Sequence, residues 1–444
     1  MKTSKLSLFD LTMIVVGLVV GMGIFRTASV AAKDALTPGV YFGAWIFAGI
    51  IALCGALTYA EIGSRYPITG GYYRIFSYAY HPALAFSVNC LVLVSNAASL
   101  AGVALIGSGY VSKILFNEPA SDTVKVVIAI AAVLLFYVVN LFGLRMSSKT
   151  QNVLMIIKLG MVLMLIGALF MPSTFTDSEP IIKFAENGEW GWMDYVKSFG
   201  ITLMAVSFTY GGYQQTINFG SEIENPKKNI PIGIVSGIII IIVLYMLVNL
   251  SYYKVVGFNE LKNTGEIATV VISKMFGEQG GIIFSGLLVL SVLAYVNVVL
   301  LSNPRVMFAM SEDGVLPAVF KKRWEKRGVL FVSLTTFTAI CMVVLFYAKT
   351  FDKILGFTMF LDCFGMALSA GAIFLLRKRK MNEETPGIYK MKFYPFIPAL
   401  FIAAYAFIAI SIMISETKTA MTGLAVLAGF VVLYFITQAF KKKN

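Results

Sequence analysis

A chain of 444 residues with 58% hydrophobic and 13% charged residues and a mean hydropathy of +0.81 is too apolar for a soluble domain and reads as a polytopic membrane protein. Its 36 Lys and Arg against 23 Asp and Glu give a net charge of +13; the charges gather in alternate loops between apolar runs, so a lipid bilayer rather than nucleic acid is the expected partner. The four cysteines, Cys54, Cys90, Cys341 and Cys363, lie inside apolar runs without CxxC spacing, which implies neither a disulfide framework nor a metal or other cofactor.

The first apolar run, 8–32, is long enough to cross a bilayer and too long for the core of a cleavable signal peptide, so it reads as a retained helix. Near its centre stands Gly21-Met22-Gly23-Ile24-Phe25. Each glycine costs about 1 kcal/mol of helix stability relative to alanine, and a break is expected there. Lipid cannot satisfy the backbone groups that a break frees, so the break must be packed in protein or line a cavity. The half-helix beginning near Gly23 then points its N–H groups and positive dipole end at the break, which suits a carboxylate. This stretch is one half of a candidate substrate site.

Further runs at 40–64, 83–112, 123–143, 150–171, 197–220, 231–253, 280–309, 329–348, 354–376, 394–415 and 420–440 bring the spans to about twelve. The run 197–220 is the weakest by hydropathy, because it carries Thr202, Ser207, Thr209, Tyr210, Gln214, Gln215 and Asn218, groups costly in lipid and better placed on a cavity. At its centre lies Phe208-Thr209-Tyr210-Gly211-Gly212-Tyr213. A Gly pair five spans after the first interrupted helix points to a transporter with inverted repeats, 8–171 and 197–376, followed by an appendage at 394–440. The basic loops all fall on one side of this count. By the positive-inside rule that side is the cytoplasm, with both termini there.

Several motifs carry a family resemblance. Gly21 to Phe25 resembles a GSGIF element; Tyr59-Ala60-Glu61-Ile62-Gly63-Ser64-Arg65-Tyr66-Pro67 resembles a YAELGSRYP signature; Phe208 to Tyr213 resembles an FxYGGW helix, and Glu222 to Pro231 the E-x-x-NPxKNIP loop after it. Asn297, Arg305 and Asp313 to Pro317 resemble the end of the eighth helix and its loop. With these the chain is similar to the amino acid–polyamine–organocation superfamily, in particular bacterial relatives of the L-type amino acid transporters. The resemblance implies an all-α membrane protein with a LeuT-type five-plus-five inverted repeat, broken helices one and six and two extra helices, moving amino acids by alternating access.

It also implies roles for residues. Backbone around Gly21, Met22, Gly23 and Ile24 would hold the substrate carboxylate, and carbonyls before the breaks, including those of Phe208, Thr209 and Tyr210, the α-ammonium. Phe208 matches the position that closes over the substrate, Tyr213 stands where a tryptophan is common, and Gln214 next to it faces the side-chain pocket. Met22 replaces a small serine. Lys158, deep in span five, occupies the place that sodium takes in sodium-coupled members, which predicts sodium-independent transport.

Charges inside spans are functional candidates by default. A buried lysine can exchange a proton or stay charged as a strut, so Lys158 is compatible with proton symport and with amino acid exchange; snorkelling and a purely structural bond are the other readings. Arg26 lies roughly 10 Å and Asp362 roughly 13 Å from the outer ends of their spans, depths that suit an outer-gate ion pair; Arg26 otherwise reads an acidic substrate or snorkels outward. Glu61 and Arg65, four apart on one helical face, form a local pair closing the inner side or a contact for a coupling ion. His81 is the only histidine.

No GxxxxGK[ST], HExxH, or Ser/His/Asp arrangement is present, so an enzyme or ATP-driven pump is disfavoured. Spans one, three and six hold no acid near the breaks, which favours a neutral, small to medium amino acid over a polyamine. Proton-coupled symport is favoured slightly; an amino acid exchanger of the same fold is the main alternative, with a nutrient sensor or a polyamine permease behind it. The loop 113–122 contains no cysteine, so no disulfide-linked partner chain is expected, and a bacterial inner-membrane protein standing alone is the reading.

Overall fold

The computed structural model describes residues 5–21, 23–116, 121–171, 190–324, 326–347, 351–380 and 386–441. Its helices are α1 (Leu8–Val19), α2 (Ala28–Asp34), α3 (Pro38–Arg65), α4 (Gly71–Ala79), α5 (Pro82–Phe116), α6 (Asp122–Leu141), α7 (Leu144–Gly167), α8 (Trp192–Tyr210), α9 (Pro226–Asn263), α10 (Ile267–Glu312), α11 (Phe331–Tyr347), α12 (Phe351–Lys378), α13 (Phe396–Ser415) and α14 (Thr417–Lys441). Counting α1 and α2 as one crossing, ten of these stretches are long and apolar enough to span a membrane. The polar α8 and the shorter α11 complete the expected twelve.

Local chemistry sets the helix starts. Ser7 caps α1, accepting the Asp10 N–H at 3.2 Å while the Asp10 carboxylate accepts the Ser7 N–H at 3.0 Å, a reciprocal cap of the kind that contributes roughly 0.5–2 kcal/mol. Asn225 precedes α9 with Pro226 at its first position, where the missing N–H costs nothing. That start explains the Asn-Pro of the loop motif.

The interior is built on α3, α5, α9, α10 and α12, with α5 against α10 and α12, and α3 against α9. Along the apolar window of α5, 83% of residues are buried, against 22% for α6 and 17% for α14, so α5 is central and the other two form the periphery. Two features exceed the sequence expectation. A nine-residue helix, α4, joins α3 to α5, and α9 and α10 run beyond 253 and before 280, leaving helical geometry at Gly257 and Gly277. Neither piece could register as a span, because each is too short to cross a bilayer.

The basic loops are tied together at one face. Arg74 bonds Glu312 at 2.6 Å and also Asp313, Lys227 donates to the Pro386 carbonyl at 3.0 Å, and Arg327 to the Leu141 carbonyl at 3.3 Å. At the opposite face Ser198 joins α2 to α8 by donating to the Asp34 carbonyl at 2.8 Å, and Lys254 reaches the Leu169 carbonyl at 2.6 Å.

Candidate functional site

The first span is broken as its glycines predict. α1 ends at Val19 and the chain resumes at Gly23–Thr27 as one widened π-turn leading into α2; Met22 lies outside the described residues. The second break follows α8, where Gly211 is extended, Gly212 has φ +109°, and a tight 3-10 turn runs over Tyr213–Asn218. The breaks pack on each other. A Cβ at Gly23 would stand 2.7 Å from the Thr209 methyl, and one at Gly212 would strike the Leu18 carbonyl, so each glycine makes room for the end of the other span's first half.

Side chains from neighbouring helices bind the freed carbonyls. The Lys158 ammonium of α7, fully buried, donates to the Val20 carbonyl. On α9, the Tyr245 hydroxyl lies 3.0 Å from the Val19 carbonyl and 3.3 Å from the Thr209 carbonyl, and the Tyr252 hydroxyl 3.2 Å from that of Ile24. Orphaned buried acceptors cost about 1–3 kcal/mol each, so these three residues are what allow the breaks to persist at depth.

Between the breaks lies a cavity. Val19, Gly21 and Gly23 line it from the first span, Phe208, Thr209, Gly211, Gly212 and Gln214 from the second, and Asn96, Ser99, Tyr295 and Asp362 from α5, α10 and α12. Its volume is about 40 Å³, room for a few waters. An amino acid enters only if the walls part.

A family model described as amino acid permease matches residues 6–437. The chain belongs to the amino acid permease family. It is 28% identical over 433 residues to the serine/threonine exchanger SteT of Bacillus subtilis, covering 95% of this chain and 93% of that protein. It is 28% identical to the methylthioribose transporter of the same organism, covering 71% and 69%, and 26% identical to the large neutral amino acids transporter small subunit 2 of Mus musculus, covering 95% and 79%. The family is one of membrane transporters, not enzymes, and this permease is a multi-pass membrane protein.

Of the residues singled out in the sequence, the permease brings Gly21, Gly23, Phe208, Thr209, Gly211, Gln214 and Asp362 to the cavity. The Gln214 carbonyl oxygen accepts the Gly212 N–H at 2.9 Å, so it braces the break. Three others point elsewhere. Ile24 is buried in the core; Tyr210 packs between Trp45 and Tyr245, with ring centroids at 5.9 and 5.1 Å. Tyr213, expected beside the substrate, turns away onto Tyr59 at 5.9 Å, because the left-handed Gly212 reverses the chain just before it.

Asp362 accepts a hydrogen bond from Ser95 at 2.7 Å. Arg26 instead lines a second cavity of about 220 Å³, with Tyr110, Lys125 and Glu266. The two residues thus sit in different cavities. Glu61 pairs with Arg65 at 2.8 Å and also takes a fork from Arg377, at 2.9 and 2.6 Å, and the Met391 N–H at 2.9 Å. It ties the ends of α3 and α12 to the loop before α13.

Sequence reading missed a closed ring of amides, two of which, Asn96 and Gln215, line the cavity. Gln215 donates to Asn96 at 2.8 Å, Asn96 to Asn303 at 2.7 Å, and Asn303 to Gln215 at 3.5 Å. A second network joins Asn140, Asn297 and Gln151, each bond 3.0 Å. The available signal was an uncharged amide inside an apolar span, the same signal that flagged span six.

Proposed function

We propose that this permease is a sodium-independent secondary transporter of amino acids working by alternating access, its inverted repeats 8–171 and 197–376 rocking about the cavity between the breaks. The observation that carries the reading is the reciprocal packing of two broken helices around one cavity, with a lysine ammonium on the first break's carbonyl. A zwitterion matches both sides of that arrangement: the half-helix beginning at Gly23 suits its carboxylate, and the carbonyl ends of α1 and α8 its ammonium. Lys158 supplies the positive charge at the break that a bound sodium ion would otherwise bring. Loop charge supports an orientation with the basic face and both termini in the cytoplasm, in a plasma membrane.

Purified protein in proteoliposomes tests this. Uptake of labelled neutral amino acids is expected to be equal in sodium and choline media, and Lys158→Met should lower it about tenfold or more, since an orphaned Val20 carbonyl costs about 1–3 kcal/mol. Uptake that requires sodium, or that is absent for every amino acid offered, overturns the proposal. Proton-coupled symport is the mode we favour, and uptake into empty vesicles under an inward proton gradient supports it. Uptake only with internal amino acid makes it an exchanger, the mode named for the Bacillus relative.

One observation favours a second reading of the substrate. Asp362 is the one Asp, Glu, Lys or Arg among the described residues lining the cavity. Spans one, three and six hold no acid at the breaks, but span ten brings this one in. A half-buried carboxylate on the wall of a closed cavity favours a positive partner, which a cationic substrate side chain supplies. Competition by ornithine and lysine should then be lost in Asp362→Asn while competition by neutral amino acids remains. An unchanged competition profile rejects this second reading.

A further inference from the structure

A further cavity lies at the basic face, away from the breaks. It holds about 410 Å³ and lies where the turn between α6 and α7, the end of α10, the loop leading to α11 and the chain before α1 meet. Six cationic side chains line it: Lys5, Arg145, Arg305, Arg323, Lys326 and Arg327. Glu222 is the one carboxylate on the described wall, and it is committed to Arg305 at 2.7 Å. The other five cations have no carboxylate partner among the described residues.

Topology explains basic residues in these loops wherever their side chains point. It does not require four separate segments to converge on one hollow. Five of the six are solvent-exposed, so water and salt screen their mutual repulsion, while an anion seated in the hollow is attracted by all of them at once. The N-terminus of the 24-residue α7 opens on the same cavity, and its cap, Gly143, offers no side chain to the first-turn N–H groups, which adds positive potential there.

The rim indicates what kind of anion. Phe142, Met146, Trp324 and Phe331 stand exposed at the edge of the basic face, and the Arg327 guanidinium lies over the Phe142 and Trp324 rings at 4.9 and 5.1 Å. Exposed aromatic side chains beside a cationic hollow mark the level where acyl chains give way to headgroups. We propose that this cavity binds the phosphate headgroup of an anionic phospholipid, its chains running over the apolar rim.

The test uses the full-length protein in neutral detergent, with thermal unfolding followed by tryptophan fluorescence. Phosphatidylglycerol should raise the midpoint by several degrees, and phosphatidylcholine or inorganic phosphate at equal concentration should not. The double variant Arg145→Gln/Lys326→Gln should lose that response, and Lys418→Gln on exposed α14 should keep it. A double variant that still responds, an equal response to phosphatidylcholine, or a full response to inorganic phosphate alone overturns the lipid assignment. Native mass spectrometry of the unmodified protein gives an answer independent of any variant: phosphatidylglycerol should stay bound at detergent concentrations that strip phosphatidylcholine, and equal stripping overturns the proposal.

Discussion

Gly212 and Gly211 are adjacent, yet the backbone asks different things of them. Gly212 has φ +109° and its missing Cβ is the space taken by the Leu18 carbonyl. Gly211 has φ −70°, an ordinary extended conformation, and a Cβ there would meet the Phe208 carbonyl at 3.3 Å. Gly212→Ala therefore combines a strained backbone, about 1–3 kcal/mol, with a collision that pushes the two breaks apart. Uptake should fall to background in Gly212→Ala while Gly211→Ala retains a substantial fraction, with both measured at matched protein levels in vesicles. Equal loss in the two would mean that the pair matters only as a flexible link.

At the scale of elements, α9 works as a clamp on both breaks. Tyr245 and Tyr252 are seven residues apart, two turns on one face, and their hydroxyls reach Val19 and Thr209 in one case and Ile24 in the other. Tyr245→Phe keeps the ring against Trp45 and Tyr210 but removes the hydroxyl shared by two buried carbonyls. We expect a loss of about 1–3 kcal/mol, read as a lower unfolding midpoint, and a smaller loss for Tyr252→Phe, which serves one carbonyl. The breaks themselves were legible because glycine in an apolar run has no stabilising use. The clamp was not, since a tyrosine in such a run reads as filler. Partners far apart in sequence were equally hidden: Glu61–Arg65 is an i,i+4 pair, whereas Arg377 reaches the same carboxylate across 316 residues, and Asn96 meets Asn303 across 207. The departure of Tyr213 from the cavity depended on the sign of one φ angle, which sequence does not display at a glycine.

Across the whole molecule, one face is closed. Leu6 lies alongside Ile223 as a parallel bridge, its N–H on the Glu222 carbonyl at 2.7 Å and its carbonyl taking the Glu224 N–H at 2.9 Å. Around this bridge stand the Glu222–Arg305 pair and the Glu61 hub with Arg65 and Arg377, an arrangement in which removing one partner strands the others. The alternating access proposed above requires this face to open, and the start of α1 must then part from the turn before α9. Leu6 and Ile223 are both buried, and directly bridged residues fall within the Cα separation that a disulfide spans. Leu6→Cys/Ile223→Cys in a Cys90→Ser background should therefore crosslink on mild oxidation, since Cys90 is half-buried whereas Cys54, Cys341 and Cys363 are buried. Oxidised protein should bind substrate from the opposite side but fail to translocate it, and reductant should restore uptake. If the crosslink forms quantitatively and uptake continues, this face is not a gate, and the ion pairs there serve stability alone.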